Sequence, residues 1–322
     1  MPDKKVITYG SYLKVEELLR LQAPESNPLE HDEELFIIIH QVYELWFKLL
    51  LHEIDKVGAD LSANRLHDAL HTLKRIRMVL KTIVGQIDIL ETMTPTSFAS
   101  FRARLDTASG FQSSQFRELE FALGYKRESM LKHHEPHSAG YARLKTRYEA
   151  PSIHWHLYDF LEHHGVRIPA ELRARPHTEP NVASPALQVD LIAVYTRLPD
   201  VRLLLETLTD VDEGLQEWRY RHVKMVERTI GHRAGTGGSP GVSYLRETVF
   251  RSFFPDLWAI RDVARGANED PGLQSRNLRN LLNPGTSGTP EPPEPRNLRN
   301  PVTSGTSGTC RILIPVLREA SE

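Results

Sequence analysis

Leu66, Leu70, Leu73, Ile76, Leu80, Ile83, Ile87 and Leu90 recur in steps of three or four residues. Steps of that size put every member on one side of an α-helix, and the series stays in phase for about seven turns. A stripe this long needs a partner surface of matching length, which other helices or the face of a sheet supply. Strand-like alternation is scarce in the rest of the chain, and no βαβ rhythm appears. The expected class is therefore all-α, a helical bundle. Further helices are read at 11–22, 115–123, 152–162, 185–208, 211–230 and 242–264.

The stretch ELFIIIHQVYELWFKLLLHE, residues 34–53, is apolar nearly all round and belongs in the middle of such a bundle. It carries an anomaly. His40 directly follows Leu35, Phe36, Ile37, Ile38 and Ile39, with Phe36 and Tyr43 near it at i−4 and i+3. An ionisable group in apolar surroundings must find a partner, lose its charge or serve a purpose that offsets desolvation. A second histidine stands out in LQEWRYRHVKMVERTIG. There Trp218, His222, Met225 and Thr229 fall at steps of four, three and four, among the cations Arg219, Arg221, Lys224 and Arg228. Either histidine alone reads as a satisfied core residue or as a ligand. Together they also match what an axial haem ligand requires: a neutral imidazole for the iron, an apolar stripe for the macrocycle and arginines for the propionates.

With 322 residues the chain is long enough for one large domain or two ordinary ones. Its formal charge of −2, with both signs scattered, argues against nucleic-acid and membrane-surface partners. The lone cysteine, Cys310, cannot form an internal disulfide, which points to a reducing, cytoplasmic home. MPDKKVITYG has no apolar signal core, and no run is expected to reach the roughly 20 apolar residues of a membrane span. The 15 histidines invite a zinc reading, especially His133, His134 and His137 in LKHHEPH and His154 and His156 around Trp155. Zinc needs three or four converging ligands, and these sit in a polar loop and on a mixed helix, so they are read as solvated surface residues. GHRAGTGGSPGVSYL, residues 231–245, is a glycine-rich loop between helices. Residues 265–322 contain RNLRN at Arg276 and again at Arg296, each followed by Thr-Ser-Gly-Thr. A repeat so rich in Pro, Gly, Ser and Thr cannot bury a core, and 265–322 is expected to be a disordered tail beside a 1–264 domain.

In order, TYGSYLKVEELLRLQ, HDEELFIIIHQVYELWFKLLLHE, FRARLDTASGFQSSQFRELE, WRYRHVKMVERTIG, GTGGSPGV and FFPDLWAIRD resemble the tryptophan 2,3-dioxygenase family of haem-dependent oxygenases. The resemblance runs over about residues 8–262. It implies an all-α fold around haem b, a homotetramer, and insertion of dioxygen into the indole ring of L-tryptophan. By that resemblance His222 is the axial ligand of the iron, and His40 is the distal histidine facing the indole N–H, where its partner arrives as substrate. Phe36 packs on the indole, and Arg102 holds the amino-acid carboxylate in a bidentate clamp. Thr236 binds the amino-acid end from the glycine-rich loop, and Ser109 is the distal hydroxyl near haem. Gly110 and Trp218 lie beside the cofactor, while Tyr9, Tyr12 and Leu13 reach the pocket from a neighbouring subunit. Read without the resemblance, Gly235, Gly237 and Gly238 form a helix–helix turn and Arg102 a surface ion pair.

Three positions depart from the family pattern. Ile39 and Val42 stand where Thr and Ala are usual around the distal histidine, making the wall bulkier and drier. Phe98 stands where some members have a tyrosine that helps to bind the carboxylate, and losing that hydrogen bond costs about 1.5–3 kcal/mol. These departures keep an alternative open: a monooxygenase of tryptophan or a methylated tryptophan, giving a hydroxylated or oxindole product in specialised biosynthesis. A haem-binding sensor without turnover, and a helical scaffold without haem, are the readings from other classes.

Overall fold

The computed structural model describes residues 6–231, 233 and 241–266, with side chains to Arg261. Among the described residues there is no strand. The order is α1 (Tyr9–Leu13), α2 (Val15–Leu18), α3 (His31–Ser62), α4 (Leu66–Leu90), α5 (Pro95–Arg102), α6 (Ser114–Ala122), α7 (Ala139–Glu149), α8 (Ile153–His163), α9 (Ala170–Arg173), α10 (Pro185–Arg197), α11 (Pro199–Ile230), α12 (Val242–Thr248) and α13 (Pro255–Gly266). Short 3-10 turns fill Ala103–Leu105, Gly110–Gln112 and Glu128–His133. The glycine-rich loop's Thr236 and the tail beyond residue 266 lie outside the described residues.

Three long helices, α3, α4 and α11, form the centre, with α4 packed along both of the others. The stripe that opened the sequence works as its spacing demands: Leu73, Ile76, Leu80, Ile83, Ile87 and Leu90 are all buried. Gly214 lets α11 approach closely, since a Cβ there would lie 3.2 Å from Leu80 Cδ1. On its length and hydropathy α3 could cross a bilayer, contrary to the expectation that no run would. In the fold it packs instead against α4, α5, α6 and α8.

Helix ends follow local chemistry. Thr94 accepts from Ser97 N ahead of Pro95, and Ser184 from Leu187 N ahead of Pro185, each a side-chain cap followed by proline in the first turn. The helix read over 185–208 instead ends at Arg197. Pro199 cannot continue it, and Leu198 turns extended at φ −127° and ψ 79° before α11 begins. The helix read over 242–264 is likewise two, parted ahead of Pro255. Buried Asp212 of α11 fixes that junction, accepting from Phe253 N and Phe254 N at 2.9 Å and from Trp258 Nε1 at 3.0 Å.

Two histidines expected on the surface are buried, His134 and His154. His154 Nε2–H donates to Leu123 O at 3.2 Å. The space it takes requires glycine at 124, where φ is +91° and a Cβ would sit 2.6 Å from His154 Cδ2. Burial pushes the His154 pKa down to about 4. The unfolded chain therefore takes up a proton below about pH 6.5 that the folded chain refuses until about pH 4. Protonation then favours unfolding, so stability falls across that window by on the order of 3 kcal/mol from this group. Urea midpoints of wild type and His154→Gln measured from pH 4 to 7 check this: the gap between them should close as pH falls, and a constant gap refutes it.

Candidate active site

One face of α3 presents Phe36, His40, Glu44 and Phe47 at successive turns. The Phe36 and His40 rings lie 4.1 Å apart, and Phe36 also meets Phe98 at 5.8 Å and Phe101 at 5.6 Å. His40 Nδ1 is 2.7 Å from Phe36 O. A carbonyl only accepts, so Nδ1 carries the proton. Burial lowers the His40 pKa against the opposing pull of this hydrogen bond and of Glu44, which keeps the ring neutral and leaves a lone pair on Nε2. The ring is nevertheless accessible by surface area. Deep enclosure and an accessible face coexist only if His40 looks into a recess.

His222, on α11, has the same double character. Burial pushes its pKa down to about 4, helped by Arg117 and by His40 whenever that ring is protonated, yet part of its surface stays accessible. That influence places the two imidazoles in the same part of the fold. Trp218, one turn earlier, stacks on His222 with centroids 5.1 Å apart and planes 13° from parallel. Phe116 at 5.0 Å, Phe47 at 5.9 Å and Tyr43 at 6.1 Å hold Trp218 in place.

The residues around this recess fit a haem. Among the described residues nothing hydrogen-bonds the His222 ring, so its nitrogens are open to an iron. Buried Arg117 and Arg219 and half-buried Arg127 surround a single carboxylate, Glu120, at 2.6, 3.1 and 2.7 Å. Three cations against one anion leave positive charge over, and among the described residues Nε of Arg117 and of Arg127 has no hydrogen-bond partner. An anionic side arm of a macrocycle is what such a surplus suits.

Other expected site residues fall into three groups. Phe98 is buried on the Phe36 side, and Arg102, half-buried, ends the same helix, α5. Ser109 caps the turn Gly110–Gln112, accepting from Phe111 N, while its own N–H donates to Gln112 Oε1 at 3.2 Å. Gly110 is exposed, with open space where a Cβ would be. Tyr9, Tyr12 and Leu13 are 78%, 74% and 46% exposed, and α1 buries nothing. Sequence reasoning passed over Glu44, Phe101 and Phe116; the step of four from His40 to Glu44 was the one available signal. Ile39 lies in the main core, so the aliphatic exchange there is taken up by helix packing. Among the described residues no group of three or more His, Cys, Asp or Glu could hold a metal ion.

The described residues thus form an all-helical body that presents two imidazoles, His40 and His222, from separate helices, the makeup expected of a haem protein's pocket. The tryptophan 2,3-dioxygenase family model matches residues 3–163 and 179–263. A tryptophan 2,3-dioxygenase of Herpetosiphon aurantiacus is 55% identical over 257 residues, covering 80% of this chain and 98% of that protein. Relatives of the same name from Anaeromyxobacter dehalogenans and Kineococcus radiotolerans are 50% and 42% identical, covering 95% and 90% of their lengths and 79% of this chain. The chain belongs to the tryptophan 2,3-dioxygenase family, whose members are haem-dependent oxygenases.

Proposed function

We propose that this protein is a haem-dependent dioxygenase of L-tryptophan. The indole C2–C3 bond breaks, both atoms of dioxygen become carbonyl oxygens, and the product is N-formylkynurenine. The observation that carries the reading is the pair His40 and His222, one with its tautomer fixed and one with no hydrogen-bond partner among the described residues, within a chain of this family.

Haem b, held by His222 with Trp218 and Gly110 beside it, supplies the iron chemistry that activates dioxygen. The rest falls to the chain. With Nδ1–H committed to Phe36 O, His40 offers Nε2 as acceptor to the indole N–H. Phe36, backed by Phe98 and Phe101, packs the ring face. Arg102 clamps the carboxylate, Thr236 meets the amino-acid end, and Ser109 supplies a hydroxyl on the distal side. Fixing both ends of the substrate makes the encounter effectively unimolecular, a large share of catalysis. The exposed Tyr9, Tyr12 and Leu13 complete the pocket of a neighbouring copy in a homotetramer. We place the protein in the cytoplasm, with 1–264 as the oxygenase domain and 265–322 as a separate low-complexity tail.

Product mass from an aerobic reaction with tryptophan tests the reaction: two added oxygens support it, and one added oxygen identifies a monooxygenase instead. Arg102→Lys tests the clamp, because a point charge cannot bind a carboxylate in two-pronged fashion. KM for tryptophan should rise about tenfold or more with a smaller change in kcat, the scale of one charge-assisted hydrogen bond. Unchanged KM would remove Arg102 from the site.

A further inference from the structure

We propose that Glu44 is a positioning residue that locks the Ser109–Gln112 turn and the start of α6 against α3, one helical turn from His40. The proposal rests on reading the His40–His222 recess as the active site.

Ser113 Oγ–H donates to Glu44 Oε1 at 2.5 Å, and Gln115 Nε2–H donates both to Glu44 Oε2 and to the Glu44 carbonyl at 2.8 Å. These are contacts across 69 and 71 residues of chain. They pin both faces of a short segment. Upstream, Ser113 directly follows the turn in which Ser109 and Gln112 cap one another. Downstream, Ser113 caps α6, accepting from Phe116 N at 3.3 Å. A hydroxyl has one proton. Because Glu44 takes it, the Ser113 lone pairs are left for the cap.

Two consequences reach the pocket. Phe116 is set against Trp218, the ring that stacks on His222. Arg117, the next residue, is set beside Glu120 and over the Phe116 ring. On the other side the turn bearing Ser109 and Gly110 is fixed relative to the helix that bears His40. The carboxylate form matters, since both side-chain partners are donors. An amide at 44 would turn its own N–H groups toward one of them.

The test uses the holoprotein with Glu44→Gln, Ser113→Ala, the double variant and Gln115→Ala. Amide hydrogen exchange over residues 109–116 should accelerate about tenfold or more in Glu44→Gln, the scale of one charge-assisted hydrogen bond. The C–O stretching band of the ferrous carbon monoxide form, with tryptophan present, should shift or broaden, because the distal surroundings no longer hold one arrangement. KM for tryptophan should rise more than kcat falls. The double variant should lose less than the two single losses combined, since both break one contact. Wild-type exchange rates and an unmoved C–O band in Glu44→Gln would overturn the proposal, as would strict additivity. If Glu44→Gln does not fold, Gln115→Ala removes two of the three hydrogen bonds and carries the same readouts. A wild-type protein without a Soret band would bring down the reading of the recess, while exchange at 109–116 would still decide what Glu44 holds.

Discussion

His222→Ala is expected to purify without a Soret band and with tryptophan turnover reduced roughly 10³-fold or more, the order of loss when a residue that carries the chemistry is removed. The imidazole makes no hydrogen bond to the described residues, so its removal breaks no polar contact of the fold. The helix that carries it is held elsewhere, by Val211, Leu215, Trp218, Val223 and Met225, all buried. Far-UV circular dichroism should therefore stay close to wild type while the pigment disappears, separating loss of cofactor from loss of fold. His40→Ala makes the contrast. Among the described residues its ring hydrogen-bonds only the Phe36 carbonyl one turn back, so pigment should remain. Turnover should drop about ten- to a hundredfold, as when one positioned hydrogen bond to substrate is lost. Full pigment and undiminished activity in His222→Ala would remove the foundation of the functional reading.

These two histidines were legible because each broke a local rule: an ionisable ring placed on an apolar helical stripe. Helix α4 was legible end to end because its apolar period runs without proline or glycine-rich interruption from Leu66 to Leu90. Less was visible where the pattern is weak. Helix α7 buries only Leu144, so it has almost no stripe to read, and α5 is just eight residues long. The break at Leu198 was misplaced because apolar spacing continues past it, although Pro199 gives the physical reason for the stop. Glu44, Phe116 and Arg117 owe their roles to partners far along the chain, and no local spacing encodes a pairing set by how helices meet. The surplus of arginines around Glu120 belongs to the same category, for FRELE alone shows one arginine ahead of two acids.

That surplus gives Glu120 a large share in holding this part of the fold together. Burial by itself would raise its pKa, but Arg117, Arg127 and Arg219 outweigh that and hold it below the usual carboxylate range. Burial pulls Arg219 down despite Glu120, yet from a starting point high enough that the guanidinium stays charged. Glu120→Ala would leave three cations enclosed together with their common counter-charge gone. Breaking a buried ion pair by removing one partner costs about 3–5 kcal/mol, far more than the net worth of the intact pair. For a protein of this size that corresponds to a fall in apparent melting temperature of roughly 10 °C or more. Glu120→Gln keeps the acceptor oxygen and should lose less. Acid has the same effect by titration: the stabilisation is complete above the ordinary carboxylate pKa and fades as pH falls through the lower folded value. The loss should also reach the pocket, because Arg219 directly follows Trp218, and Arg127 ties the same carboxylate to the Tyr244 hydroxyl on α12. Thermal denaturation of Glu120→Ala and Glu120→Gln followed by circular dichroism and by the Soret band decides it. An Ala variant melting within about 2 °C of wild type would mean that the arginines are neutralised by something other than Glu120.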